Sequence, residues 1–207
     1  MGNAMQSVTM ERRIAPPLSV AALAQTARAW LDPARQWRRA LISDIAPRAG
    51  DMIFDLDCDD ATLPAALAQA GAGVRVVAVA DDASLRAAEA RAQALGARVE
   101  FVRAGALDAI RTPPHAAPNK IVARVCRRVK RSAERINLYS AAAASLPVCG
   151  ALHVSACTPL QTVDNEPLHE ARAMIAEMRG AGFVAVEVTG VFPTPRGSIM
   201  LLRGRAS

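Results

Sequence analysis

The chain has 207 residues, of which 52% are hydrophobic and 21% are charged. This length suits one globular domain with a sizeable core, and this composition excludes a disordered chain. The net charge is +6, and the basic residues are nearly all arginine. No apolar run approaches the roughly 20 residues that a membrane helix needs, and the N-terminus lacks the pattern of a signal peptide, so we expect a cytoplasmic protein with no membrane association.

Two helices are predicted near the N-terminus. Residues 18–31 and residues 34–45 both have the apolar spacing of a helix, and residues 1–17 before them read as a flexible tail. In the second helix the large apolar side chains recur every four residues and predict one buried stripe, which consists of Trp37, Leu41 and Ile45.

Apolar runs then alternate with helical segments. The runs that predict strands one to five are M-I-F-D-L, V-R-V-V-A-V-A, V-E-F-V-R-A, K-I-V-A-R-V and A-L-H-V-S-A. The segments that predict helices are L-P-A-A-L-A-Q-A-G, residues 84–95, the stretch containing I-N-L-Y-S-A-A-A-A-S-L, and residues 166–179. Strands that alternate with helices in this way form a mostly parallel sheet covered on both faces.

The last two predicted strands, F-V-A-V-E-V and S-I-M-L-L-R, have no helix between them. Their connection is only long enough for a hairpin, so we expect the sheet to end in an antiparallel strand. The sequence therefore predicts one α/β domain over residues 18–207, with N-terminal helices at 18–46 and a core of sheet and helices at 51–205.

Four carboxylates follow the first predicted strand, in the stretch I-F-D-L-D-C-D-D-A-T at residues 53–62. In an open parallel sheet, ligands bind beyond the carboxyl ends of the strands, near the point where the strand order reverses. The loop from Asp55 to Thr62 is therefore the first place to look for a site.

The stretch W-R-R-A-L-I-S-D-I-A-P-R-A-G-D-M-I-F-D-L-D-C-D-D-A-T-L resembles class I S-adenosylmethionine (SAM)-dependent methyltransferases, especially the ubiquinone and menaquinone methyltransferase-like group. Those proteins have a helix, P-x-x-G-D, an apolar strand and then D-x-G-x-G-x-G. The resemblance continues through A-G-F-V-A-V-E-V and the terminal hairpin. It implies a Rossmann-like class I methyltransferase fold, with a seven-stranded mixed sheet, an antiparallel last strand and helices on both faces.

The resemblance also implies a cofactor loop whose glycines have been replaced. The family's leading acidic residue falls on Asp55, and its three glycines fall on Asp57, Asp59 and Ala61, with Cys58 between them. Glycine lets the backbone come close to a cofactor and adopt conformations in which a Cβ would clash. Aspartate at two of these positions fills that space and adds negative charge beside the cofactor's own carboxylate.

The other cofactor contacts implied by the resemblance have changed as well. The acidic residue that holds the ribose hydroxyls falls on Ala80, with Asp81 one place further on. The acidic residue that contacts the adenine amino group falls on Gly105. We therefore expect SAM binding through these positions to be impaired or lost.

Other interpretations of the carboxylates stay open. F-D-L-D-C-D-D-A-T-L also resembles the haloacid dehalogenase motif F-D-L-D-G-T-L, in which Asp55 would be the nucleophile and Asp57 the acid/base, with magnesium between them. The alternating carboxylates could ligate magnesium or calcium, but the loop lacks the glycine turn and distal Glu of an EF-hand, so we assign no metal site. Alternatively, Asp59 or Asp60 caps the following helix while the other carboxylates face solvent.

The remaining polar residues give no basis for assigning a catalytic group. Residues Arg124 to Arg135 form the one dense basic cluster, and without aromatic residues to stack on bases it favours a solvated helix face over a nucleic-acid interface. The three histidines, His115, His153 and His169, are far apart in sequence. His153 in strand five is interpreted as a core histidine, and neither it nor His115 has a neighbouring nucleophile or carboxylate that the sequence can pair with it. The four cysteines have no C-x-x-C spacing and favour buried thiols over a disulfide frame or a zinc site.

The sequence thus predicts a methyltransferase-like protein that no longer binds SAM normally and acts by contacting a partner, either a catalytic relative or a copy of itself. The alternative is an active SAM-dependent methyltransferase with an atypical, glycine-poor loop. A magnesium-dependent, phosphatase-like Asp-x-Asp site is the third hypothesis.

Overall fold

The computed structural model describes residues 33–58, 61–113, 116–125, 131–159, 166–194 and 197–207. Residues Pro33–Ser207 form one compact unit. The predicted tail at residues 1–17 and the predicted helix at residues 18–31 lie outside the described residues.

Six helices and seven strands lie within this part of the chain. The helices are α1 (Pro33–Ile45), α2 (Thr62–Gln69), α3 (Asp82–Ala94), α4 (Ala106–Arg111), α5 (Ser132–Ser145) and α6 (Glu166–Gly180). The strands are β1 (Met52–Asp55), β2 (Arg75–Ala80), β3 (Glu100–Arg103), β4 (Lys120–Arg124), β5 (Ala151–Pro159), β6 (Phe183–Thr194) and β7 (Gly197–Ala206).

The strands form one mixed sheet in the order β3-β2-β1-β4-β5-β7-β6. The first five strands pair in parallel, and β7 pairs antiparallel with both β5 and β6. This arrangement confirms the predicted seven-stranded mixed sheet and its antiparallel last strand. The strand order reverses between β1 and β4, because the chain builds outward from β1 to β3 on one side and then crosses to β4 on the other.

Helices cover both faces of the sheet, as predicted. On one face, the α1 stripe of Trp37, Leu41 and Ile45 is buried in a cluster with side chains of α2 and of the central strands. On the other face, α5 and α6 bury Tyr139 and Met174 against the sheet. Burial of both faces explains why the central strands read as continuous apolar runs rather than as an alternating pattern.

The structure differs from the predicted elements in two places. Helix α4 was not predicted, because its six residues are too few to show helical periodicity. The stretch that connects the last two predicted strands, residues 189–197, is mostly strand, since β6 and β7 remain paired as far as Thr194 and Gly197. The predicted antiparallel pairing of the last two strands is confirmed.

Within the described residues, no helix is long and apolar enough to cross a membrane. The cytoplasmic location expected from the sequence stays a prediction.

The basic cluster from Arg124 to Arg135 is not a solvated helix face at either end, so that prediction is wrong there. Arg124 ends β4 with a largely buried side chain, and Arg135 in α5 is buried against Glu177 of α6. Two nitrogens of Arg135 donate hydrogen bonds of 2.7 Å to the Glu177 carboxylate, and Ser132 donates a third of 2.6 Å. This ion pair fixes α5 against α6. Residues 126–130 of the cluster lie outside the described residues.

The cysteine prediction is correct for only one of the described cysteines. Cys58 is buried and free, whereas Cys149 is exposed and free. Cys157, near the end of β5, is disulfide-bonded. Cys126 lies outside the described residues.

The ion pair between Arg135 and Glu177 predicts a dependence of stability on pH. Burial opposes ionisation of Glu177, but the hydrogen bonds from Arg135 and Ser132 outweigh it and hold the pKa of the carboxyl below its ordinary value of 4.5. A carboxyl with a lowered pKa in the folded state stabilises that state fully above pH 4.5, and this contribution is lost as the pH falls through the lowered pKa.

We therefore expect Glu177→Gln to reduce the free energy of unfolding at pH 7 by about 1–3 kcal/mol, because it leaves the buried guanidinium without its counter-charge. The difference between wild type and variant should shrink in urea titrations at decreasing acid pH. Glu89→Gln on the exposed side of α3 is the matched control and should behave as wild type at every pH. A Glu177→Gln difference that stays constant down to pH values below the lowered pKa would contradict this account.

Candidate functional site

The candidate site lies at the carboxyl edge of the sheet, where the strand order reverses between β1 and β4. Backbone hydrogen bonds hold the chain there after β1 has ended: Leu56 N–H donates to Val122 of β4 at 2.9 Å, and Cys58 N–H donates to Val79 of β2 at 3.1 Å. The residues that follow β1 are thus fixed between its two neighbouring strands. This edge is the usual ligand position in an open α/β sheet.

Asp55 and Arg124 form a buried ion pair at this edge. Asp55 ends β1 and is 0% exposed. Arg124 lies on the neighbouring strand, two residues beyond the register partner of Asp55, and its Nη2 atom is 3.4 Å from Asp55 Oδ2. A carboxylate removed from water is stabilised as an ion only when a cation or several donors face it. Arg124 therefore balances the charge of Asp55 from inside the protein.

Asp57 lines a small crevice next to this pair. Its side chain is largely buried, with the residue only 7% exposed. The crevice has a volume of about 40 Å³, and its other lining residues include Leu56, Val79, Ala104 and Arg124. Such a volume accommodates very few water molecules, whereas small-molecule sites usually measure roughly 300–1,000 Å³.

The interpretation in which the carboxylates other than the helix cap face solvent is wrong for Asp55 and Asp57, because both are buried. Asp59 and Asp60 lie outside the described residues. Ala61 is the residue that precedes α2, and its methyl group cannot form a capping hydrogen bond.

Ala61 adopts a backbone conformation that favours glycine. Its φ is 56° and its ψ is 6°, which is the left-handed helical region, and its side chain is fully buried. A Cβ makes this conformation unfavourable by roughly 1–2 kcal/mol. Ala61 occupies the third glycine position implied by the methyltransferase resemblance, so the backbone there has the conformation that a glycine would adopt without strain.

The remaining predicted cofactor positions have structural roles within the fold. Ala80 is buried at the end of β2 and packs in one apolar cluster with Cys58 and Ala61. Asp81 caps α3, because its carboxylate accepts hydrogen bonds from the Ser84 N–H at 3.0 Å and from the Ser84 hydroxyl at 2.6 Å. Gly105 precedes α4 as its N-cap.

The structure thus brings Asp55, Asp57, Cys58, Ala61 and Ala80 together around the end of β1 and β2. Arg124 was missed as a member of this site because the sequence placed it in a basic cluster. Alternation along the strand places Arg124 on the same face as Val122, but the pairing of Val122 with Asp55 is known only from the structure. Among the described residues, no group of three or more His, Cys, Asp or Glu side chains could hold a metal ion.

His153 has a carboxylate neighbour, Asp44, which is 109 residues away in the sequence and could not be paired with it from the sequence alone. Its Nδ1 atom is 2.8 Å from Asp44 Oδ2, and Arg203 donates a hydrogen bond of 2.8 Å to the other oxygen of Asp44. Burial lowers the pKa of His153 below its ordinary value of 6.5 and outweighs the opposing effect of Asp44. Burial thus favours the neutral ring, in which the Nδ1–H group donates the hydrogen bond to Asp44. This pair lies at the other edge of the sheet, away from the crevice.

Comparisons with known proteins identify the fold. No protein-family model matches the chain, and no curated protein matches it. Similar solved structures include the SAM-dependent methyltransferase SibL in its apo form, which is 17% identical with a TM-score of 0.62 over 93% of this chain and 60% of that chain. TrmN from Thermus thermophilus is 18% identical with a TM-score of 0.61, over 84% of this chain and 49% of that chain.

A further similar structure is magnesium protoporphyrin IX methyltransferase (ChlM) from Synechocystis PCC 6803 with bound SAH, which is 14% identical with a TM-score of 0.64, over 84% of each chain. The chain thus spans 60% of SibL and 49% of TrmN, less than two thirds of either, and 84% of ChlM. Together with the strand order, these likenesses show that the chain has the Rossmann-like class I methyltransferase fold. The narrower resemblance to the ubiquinone and menaquinone group stays a prediction.

The left-handed conformation of Ala61 predicts that Ala61→Gly stabilises the protein. We expect the free energy of unfolding to rise by about 0.5–1 kcal/mol, because the variant relieves the conflict between the Cβ and the backbone. Ala66→Gly, in the middle of the same helix, is the matched control and should lose about 0.5–1 kcal/mol. Urea denaturation of both variants measures the difference. Equal destabilisation by the two substitutions would show that Ala61 does not require a left-handed conformation.

Proposed function

We propose that this protein is a methyltransferase-fold protein whose carboxyl-edge crevice no longer binds SAM in the ordinary way. The observation that carries the proposal is the crevice itself, which measures about 40 Å³ and has the Asp57 side chain on its wall. A nucleoside cofactor needs a much larger site, on the order of several hundred Å³. The residues present therefore do not fit the cofactor that is usual for this fold.

The charges around the crevice support the same proposal. Asp55 faces Arg124, and Asp81 is occupied by its hydrogen bonds with Ser84. A carboxylate that already has an internal cation or donor gains less from a ligand's amino group or hydroxyl, since the ligand must replace an existing interaction. Asp57 also places a carboxylate on the wall of the crevice, and this group would repel the carboxylate of a SAM molecule bound there.

The alternative is an active SAM-dependent methyltransferase with an atypical, glycine-poor loop. What favours it is the fold and its likeness to ChlM with bound SAH. The third hypothesis, a phosphatase-like Asp-x-Asp site, requires an accessible nucleophile. The burial of Asp55 beside a cation disfavours that role.

We further propose that the protein acts through contact with another protein, either a catalytic relative or a second copy of itself. Exposed apolar side chains on the edge strand β6 support this role, and they are Val184, Val188 and Val191. An edge strand has unpaired backbone groups, and a run of exposed valines along it favours association with another protein surface.

Titration with SAM and with S-adenosylhomocysteine tests the loss of cofactor binding. We expect isothermal calorimetry of the full chain to show no saturable binding below about 1 mM, which corresponds to a binding free energy weaker than about −4 kcal/mol. A variant that restores the three glycines (Asp57→Gly, Asp59→Gly and Ala61→Gly) should bind at least about tenfold more tightly, because side chains and like charges are removed.

Ala66→Gly is the control for the glycine substitutions and should leave binding unchanged. Micromolar binding of either ligand by the wild-type chain would sink the proposal and favour the active methyltransferase. Cofactor binding by the restored variant that is as weak as binding by the wild-type chain would show that residues other than these three prevent it.

Light scattering coupled to size exclusion tests self-association. A second copy as the partner predicts a mass near twice the chain mass of 21.8 kDa. Val191→Lys on β6 should restore the monomer, since a charge on an apolar contact surface disfavours association. Ile136→Lys, which changes an exposed apolar residue on α5, is the control. A monomer that also captures no methyltransferase-fold protein would count against the partner role.

A further inference from the structure

A second, larger cleft opens at the amino edge of the sheet, opposite the crevice. It measures about 460 Å³ and is lined by the end of α1 and the turn after it, by the first residues of β4 and β5, and by Arg203 and Arg205 of β7. We call it the amino-edge cleft. Its volume lies within the roughly 300–1,000 Å³ of small-molecule sites. Ligands of open α/β sheets usually bind at the carboxyl edge, so the fold by itself gives no reason for a cleft here.

The two carboxylates that line the amino-edge cleft are matched by internal partners. Asp51 accepts hydrogen bonds from Lys120 Nζ at 2.6 Å, from Asn119 Nδ2 at 2.8 Å and from the Arg48 N–H at 2.7 Å. Asp44 accepts from Arg203 and His153, as described above. Both carboxylates are therefore balanced within the protein and leave little negative charge to repel an anion.

Two further cations line the same cleft. Arg48 and Arg205 are exposed, and within the described part of the chain neither guanidinium has a hydrogen-bond acceptor. With Lys120 and Arg203, four cationic side chains line the cleft against two carboxylates. Guanidinium groups bind carboxylates and phosphates through paired hydrogen bonds, so the excess charge favours an anionic ligand.

His153 supplies a hydrogen-bond acceptor, whereas the cationic side chains supply donors. It lines the amino-edge cleft, is 1% exposed and uses Nδ1 for Asp44. Its other ring nitrogen, Nε2, is buried and has no hydrogen-bond partner among the described residues. In the neutral ring with a proton on Nδ1, Nε2 is a hydrogen-bond acceptor. Buried acceptors in folded proteins are nearly always hydrogen-bonded, so Nε2 is a candidate acceptor for a donor on a ligand.

We propose that the amino-edge cleft binds a small organic anion that also carries hydroxyl groups, such as a sugar phosphate or a hydroxy acid. Arg48 and Arg205 bind the anionic group, and a ligand hydroxyl donates a hydrogen bond to Nε2 of His153. This site is independent of the crevice at the carboxyl edge, so it does not depend on whether that crevice binds SAM.

Calorimetry of the full chain with ribose 5-phosphate, gluconate, ribose and inorganic phosphate tests the proposal. Saturable binding is expected for ribose 5-phosphate or for gluconate, and the better of the two identifies the anionic group as phosphate or carboxylate. Ribose lacks the charge and inorganic phosphate lacks the sugar hydroxyls, so each should bind at least about tenfold more weakly. The ¹⁵N resonance of His153 Nε2 should shift on binding, as expected for an acceptor that gains a hydrogen bond.

Arg48→Gln and Arg205→Gln change exposed side chains and should leave the fold intact while weakening binding by about five- to tenfold each. Arg86→Gln on α3 makes the same change of charge on a helix that does not line the cleft, and it should have no effect. The proposal is overturned if the folded wild-type chain binds none of the four probes. Equal weakening by Arg86→Gln, or phosphate binding as tight as ribose 5-phosphate with no shift of His153, also overturns it.

Discussion

Strand β1 is the constraint on which the rest of the structure depends. It lies between β2 and β4 at the centre of the sheet, and all four of its residues are buried. Ile53 packs on the face covered by α1 and α2, and Phe54 packs on the face covered by α4, α5 and α6. Because both faces must be covered, helices are required on both sides, and the parallel neighbours of β1 can be joined only through them.

The last residue of β1 introduces a charge into this buried position. Asp55 has no access to water, and Arg124 supplies the cation from the adjacent strand. The pair therefore joins β1 to β4 at the point where the strand order reverses. A ligand contact at Asp55 would have to compete with an ion pair that the sheet itself holds in place.

Much of the fold follows from the sequence, because the apolar periodicity of the strands and helices reflects burial that the sheet requires. The contacts of the site residues are harder to predict from the sequence, and the reason is physical for each of them. Arg124 and Asp44 are far from their partners in sequence. The register of β1 and β4 brings Arg124 to Asp55, and the packing of α1 on the sheet brings Asp44 to His153. The burial of Asp57 also depends on backbone hydrogen bonds from Leu56 and Cys58 to two different strands, which no local pattern encodes.

In the loop after β1, the backbone path and the room for a ligand are set by different parts of the structure. The path of the backbone is set by the sheet, and at Ala61 it includes the left-handed conformation that suits glycine. The room for a ligand is set by the side chains on that path: Asp57 lines the crevice with its carboxylate, and the methyl group of Ala61 is buried.

The amino edge of the sheet carries more positive charge than the nearby helix end and carboxylates require. Carbonyl groups at the C-terminus of a helix carry partial negative charge and attract cations. At the amino edge, Lys120 satisfies this attraction for α1, because its ammonium donates a hydrogen bond of 3.0 Å to the carbonyl of Ala46 just beyond the helix. Arg203 is likewise engaged by Asp44. Arg48 and Arg205 are thus not explained by the helix end or by the carboxylates, and their charge is in excess of what the fold needs at this edge.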